Sequence, residues 1–158
     1  MDNLSHDDSD ERLKALKDVL RRGDRGAVPA LVERLAAEQV SRLRVALIFA
    51  LGKLGDRAVV DVLAPLVDDA DSNVRVRAID ALSAAGGGAA DPVLVQAIGA
   101  SDDAAVRDRA AHHLAERRGP DLVGLFTRML ASEKVWKREA AVRALAHFDA
   151  PRVVSLLV

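Results

Sequence analysis

Apolar residues recur along this chain with two periods, one within helices and one between them. Leu13, Leu16 and Leu20 are spaced three and four residues apart, as on one face of an α-helix. Leucine also returns every 31 or 32 residues, at Leu20, Leu51, Leu82, Leu114 and Leu145. A second apolar column follows in constant phase, at Leu31, Val62, Val93, Leu125 and Leu156. This pattern predicts tandem two-helix units that stack side by side.

The periodicity divides the chain into a short segment and a series of units. Residues 1–10 are acidic and lack apolar periodicity, which predicts a mobile, solvated tail. Residues 11–158 are predicted to form one domain. Its expected units are about residues 11–40, 41–71, 72–102, 103–131 and 132–158.

Polar residues and glycines mark the expected helix ends. We expect N-caps before the first helices of the later units, at Ser41, Ser72, Asp102 or Asp103, and Ser132. Glycines follow the first helices, and a left-handed backbone is expected there, at Gly23, Gly55, Gly86 and Gly119.

Two segments carry a family resemblance. Residues 71–82 (DSNVRVRAIDAL) and 50–59 (ALGKLGDRAV) resemble the HEAT-like repeat of the phycobilisome lyases. The resemblance covers about residues 11–158 and implies an all-α fold, a right-handed α-solenoid of about five two-helix repeats. It also implies that first helices line the convex side and second helices line the concave side, which usually binds the partner.

Composition narrows the range of functions. Half of the residues are apolar but only 3% are aromatic, so the core must consist of Ala, Leu and Val. Because the sequence has no cysteine, disulfides and thiolate chemistry are excluded, and a cytoplasmic location is expected. No export signal or membrane span is recognised. A net charge of −1 makes nucleic-acid binding unlikely, since general nucleic-acid binders are usually basic.

The predicted binding site is the face of the second helices that points away from the apolar columns. Its side chains are small and mixed in charge, which suits close approach of a helix or an extended peptide. The candidate residues are Glu33, Arg34, Asp61, Val95, Gln96, Thr127 and Arg128. The alternative is a solvated face without a partner.

A second candidate interface is the apolar C-terminal end. It comprises Trp136, Val154, Leu156, Leu157 and Val158, and it predicts a homodimer formed through this end. For Trp136 the alternative is packing against the preceding unit or against Lys137.

An arginine column follows the repeat, at Arg44, Arg75, Arg107 and Arg138. Aligned arginines could track a phosphate backbone. We favour a structural ladder instead, because Asp71 precedes Arg75, and Asp102 and Asp103 precede Arg107.

No catalytic or metal site is expected. His112 and His113 are adjacent and point about 100° apart on a helix, so they cannot both coordinate one metal ion from one face. The sequence therefore predicts a non-catalytic adaptor for a protein partner, with no cofactor. The alternatives are a lyase-like or chaperone-like protein that handles chromophore proteins, and weak nucleic-acid binding.

Overall fold

The computed structural model describes residues 2–118 and 121–146, and every regular element in these ranges is a helix. The all-α prediction is thereby confirmed. The chain divides into two compact units, residues 1–90 and residues 91–158. Their boundary falls inside the predicted third repeat, between its two helices.

The first unit consists of stacked helical hairpins. Its helices are α1 (Ser9–Arg22), α2 (Val28–Ala37), α3 (Ser41–Leu54), α4 (Val60–Leu63) and α5 (Ser72–Gly86). The first helices form one row, since α1 packs against α3 and α3 against α5, while α2 packs against α3. Leu16, Ile48 and Leu51 are among the fully buried side chains. Burying each such side chain contributes about 1.5–3 kcal/mol to folding.

The second helix of the second hairpin changes type after one turn. Helix α4 ends at Leu63, and the chain continues as a 3₁₀ helix over Ala64–Asp68. Pro65 lies at the start of that segment. Proline has no N–H to donate and its ring clashes with the carbonyl four residues earlier, so it disfavours continuation of the α-helix.

The structure corrects several predicted helix ends. Asp71, not Ser72, caps α5 by accepting from the backbone N–H of Asn73, and Val40 precedes α3 without a side-chain cap. Among the described glycines, only Gly23 and Gly87 have a positive φ. Gly55 has an extended backbone, and Gly86 lies within α5. Gly119 lies outside the described residues.

The N-terminal segment differs from the mobile tail that the sequence predicts. Asp2–Ser5 form a 3₁₀ helix, and Leu4 is only 4% exposed. Arg12 of α1 donates to the backbone carbonyls of His6 and Asp7, both at 2.7 Å. One apolar side chain and one guanidinium thus connect this segment to the rest of the unit, and neither contact follows from helical periodicity.

The second unit contains α6 (Asp91–Ala100), α7 (Ala104–Arg118), α8 (Asp121–Leu130) and α9 (Val135–Leu145). Successive helices pack against each other, and α9 also packs against α6. Gly99 permits this contact, since a Cβ built there would lie 2.9 Å from Ala140 Cβ and from the ring of Trp136. The repeat pattern alone does not predict the contact between α9 and α6.

None of the helices in the described ranges is both long and apolar enough to cross a lipid bilayer.

Candidate functional site

A cleft of about 460 Å³ opens in the first unit between α2 and the second helix of the next hairpin. We call it the second-helix cleft. Its lining residues are Val32, Leu35, Ala36, Glu38, Gln39, Arg44, Val62 and Leu66. Aliphatic side chains of the two second helices form its walls, and Glu38, Gln39 and Arg44 form a polar end.

The walls of the cleft are aliphatic and partly open to solvent. Val32, Val62 and Leu66 are half-buried, whereas their neighbours Leu31 and Leu63 are fully buried in the core. The second helices therefore bury one face and leave an adjacent apolar strip accessible. Apolar walls with a few placed polar groups are the usual composition of a binding pocket.

Glu38 organises the polar end of the cleft. Its carboxylate, whose side chain is 2% exposed, accepts hydrogen bonds from Arg12 (3.0 and 3.2 Å) and from Arg34 (3.1 and 2.9 Å). The backbone N–H groups of Gln39 and Val40 also donate to it. Burial by itself raises the pKa of Glu38, but the hydrogen bonds from Val40, Arg12 and Arg34 outweigh burial. The pKa therefore lies below its ordinary value.

A second ion pair closes the same end. Arg44 donates to both carboxylate oxygens of Asp69, at 3.1 and 2.5 Å. The hydrogen bond from Arg44 lowers the pKa of Asp69. Arg12 and Arg34 thus pair with Glu38, and Arg44 pairs with Asp69. The charged groups at the polar end are therefore engaged in ion pairs within the protein.

The structure places the predicted concave-face residues in both units. Glu33 and Asp61 are exposed and adjoin Val32 and Val62 in sequence, while Arg34 is engaged by Glu38. In the second unit, Val95 is half-buried, and Gln96, Thr127 and Arg128 are exposed on α6 and α8.

Sequence reasoning missed the aliphatic lining of the cleft. Val32, Leu35, Val62 and Leu66 share the spacing of the core columns, so periodicity assigns them to the core. The available sequence signal was Pro65, which interrupts a second helix beside Val62 and Leu66.

The arginine column holds loops in place. Arg44 pairs with the Asp69 carboxylate, whereas in the other three members a guanidinium donates to the carbonyl six residues earlier, in the loop that precedes its own helix. The pairs are Arg75 to Asp69 (2.8 Å), Arg107 to Ser101 (2.7 Å) and Arg138 to Ser132 (2.8 Å). Arg12 makes the same contact with His6 and is a member that the sequence pattern missed. These bonds support the structural interpretation, although the acceptors include backbone carbonyls rather than the expected aspartates alone.

The C-terminal candidates are only partly described. Trp136 is half-buried and packs on Gly99, and Lys137 Nζ lies 5.6 Å from its ring centroid. The Lys137 contact matches one of the two alternatives, whereas Gly99 lies in the predicted third unit and not in the unit that precedes Trp136. Val154, Leu156, Leu157 and Val158 lie outside the described residues.

Comparison with known protein families gives one assignment. The sequence profile of the family described as HEAT repeats matches residues 1–83, 28–111 and 91–158, which together span the chain. No curated protein matches the chain in sequence. HEAT repeats are a non-catalytic repeat type that generally mediates protein–protein interaction. On the strength of the matched profile and the paired helices, this chain belongs to the HEAT repeat family.

Proposed function

We propose that this protein is a non-catalytic scaffold or adaptor that binds a segment of a partner protein on its second helices, with the second-helix cleft as the main contact. The observation that carries the proposal is the cleft itself, an open space of about 460 Å³ between helices of adjacent hairpins, with aliphatic walls and a polar end. Glu33 and Asp61 would contact the partner at its margin.

The chemistry of the lining favours a peptide over other ligands. The walls consist of Val, Leu and Ala, against which an amphipathic helix can lay an apolar face. None of the described residues that line the cleft is aromatic, so they offer a tetrapyrrole no ring to stack on. The residues 50–59 remain our basis for proposing the repeat subtype of the phycobilisome lyases, but we assign no chromophore to it.

The first test places a charge in the cleft. A Val62→Glu variant should lose the partner, because a glutamate at this half-buried position would be desolvated by any apolar segment that binds there. Ala105→Glu is the matched control, since Ala105 is exposed and lies in the other unit. Affinity capture with quantitative mass spectrometry on wild type and both variants measures the effect.

A cross-linking experiment identifies the contact directly. A photoreactive amino acid in place of the exposed Ala36, which lines the cleft, should cross-link the captured partner at one short apolar segment. If Val62→Glu retained the same partner at wild-type level and position 36 gave no cross-link, the cleft would not be the binding site.

A further inference from the structure

A second small pocket lies on the first helices of the first unit. Phe49 of α3 is 39% exposed, although it sits between buried Ile48 and Ala50. Together with Gly52, Ala81 and Ala84 it surrounds a pocket of about 120 Å³. None of its lining residues belongs to the second-helix cleft.

Close packing of two helices makes the floor of this pocket. A Cβ built on Gly52 would lie 2.8 Å from Ala81 Cα, so α3 and α5 approach at a point where only glycine fits. The floor is therefore shallow, apolar and rigid. A cavity of about 150 Å³ can hold a benzene ring, so this one accepts a single medium-sized apolar side chain.

Two cations border the pocket. Lys53 Nζ lies 5.7 Å and Arg77 Cζ lies 5.5 Å from the centroid of the Phe49 ring, within the range of cation–π attraction. Asp80 Oδ2 lies 3.5 Å from Arg77 Nη1, and Asp80 carries the one carboxylate among the described lining residues. The border thus has an excess positive charge around an apolar centre.

We propose that this pocket, which we call the Phe49 pocket, binds an acidic segment of a partner protein. One leucine- or methionine-sized side chain of that segment fills the space beside Phe49, and flanking carboxylates lie near Lys53 and Arg77. Charge complementarity selects the partner, and the apolar side chain provides the anchor. The protein then has two interaction surfaces of different chemistry within its first unit.

The test uses a random peptide display library selected on the wild-type chain and counter-selected on a Lys53→Glu, Arg77→Glu double variant. Enriched peptides should share an apolar residue flanked by Asp or Glu. Binding of a synthetic enriched peptide should weaken at least about tenfold in the double variant, since reversing two exposed charges removes two attractive contacts and adds two repulsive ones. Raising the salt concentration should weaken it too.

Controls separate this pocket from general charge effects and from the cleft. Arg25→Glu reverses an exposed charge elsewhere in the unit and should change peptide affinity by less than about twofold. Val62→Glu should have no effect, and Phe49→Ala should weaken binding while helical circular dichroism stays unchanged. Basic or uncharged enriched peptides, full binding to the double variant, or failure to enrich any peptide would each overturn the proposal.

Discussion

At the scale of single residues, the Glu38 side chain links three parts of the first unit. Its carboxylate joins α1, α2 and the loop before α3 through Arg12, Arg34 and the Val40 N–H. Removing one partner of a buried ion pair is costly, because the charge that remains is neither solvated nor paired.

We expect Glu38→Gln to lower the free energy of unfolding by about 3 kcal/mol, since it leaves the guanidiniums of Arg12 and Arg34 without a carboxylate. Urea denaturation at neutral pH measures the change. Glu33→Gln, at an exposed position on α2, should stay within about 0.5 kcal/mol of wild type.

At acidic pH, the difference in the free energy of unfolding between wild type and Glu38→Gln should disappear. Because the pKa of Glu38 is lowered from 4.5, the unfolded chain takes up this proton first as the pH falls. The stabilisation is complete above pH 4.5 and disappears as the pH drops through the lower folded pKa. An unchanged difference in stability between the two proteins well below pH 4 would contradict this account.

At the scale of helices, the contact between α3 and α5 depends on Gly52. Glycine normally costs a helix interior about 1 kcal/mol relative to alanine. Here the missing Cβ is what lets the two backbones approach, because any Cβ would meet Ala81 at 2.8 Å.

Two glycine-to-alanine substitutions should therefore change the stability of the protein in opposite directions. Gly52→Ala should destabilise the protein by about 1–3 kcal/mol, because α3 and α5 must separate and repack. Gly124→Ala in α8 should stabilise it by up to about 1 kcal/mol, since the nearest atom there is the flexible Arg128 Nη1 at 3.5 Å. Thermal unfolding of both variants measures these changes. A Gly52→Ala variant that is more stable than wild type would refute the close-packing argument.

Among the helices, the local pattern of apolar residues predicts some features of the fold and not others. Periodicity places α1, α2, α3 and α5 correctly, because the spacing of apolar residues along one helix face is a local property. It does not predict that α4 gives way to a 3₁₀ helix near Pro65, or that α9 packs on α6 through Gly99. The α9–α6 contact depends on how close two segments can come, whereas the 3₁₀ segment follows Pro65, a local signal that apolar periodicity does not contain.

At the scale of the whole molecule, we keep the proposal that the apolar residues 153–158 pair two copies of the chain. The structure adds exposed apolar side chains on α9, since Val135 and Val142 are 58% and 60% exposed. Apolar side chains that are not covered favour association.

Light scattering should give an apparent mass above that of one 16.9 kDa chain for the wild type. Substituting Leu156→Glu and Leu157→Glu should reduce the mass to that of a single chain, because two charges in an apolar interface are desolvated without partners. The control change Lys17→Glu on α1 alters an exposed charge in the first unit and should leave the mass as it is. A wild-type protein that is monomeric at high concentration would rule out the dimer.

The sequence by itself determined that this chain is helical and that its helices recur every 31 or 32 residues, because both follow from the spacing of apolar residues. The HEAT type came instead from the resemblance of residues 50–59 and 71–82 and from the matched family profile. Only the tertiary structure decided where second helices stand apart to leave a cleft. It also decided that Arg12, Arg34 and Glu38 meet and that Phe49 stays exposed between two cations. The reason is physical: a periodic pattern specifies which side of each helix is apolar, whereas the gap between two helices depends on the distance at which their side chains first touch.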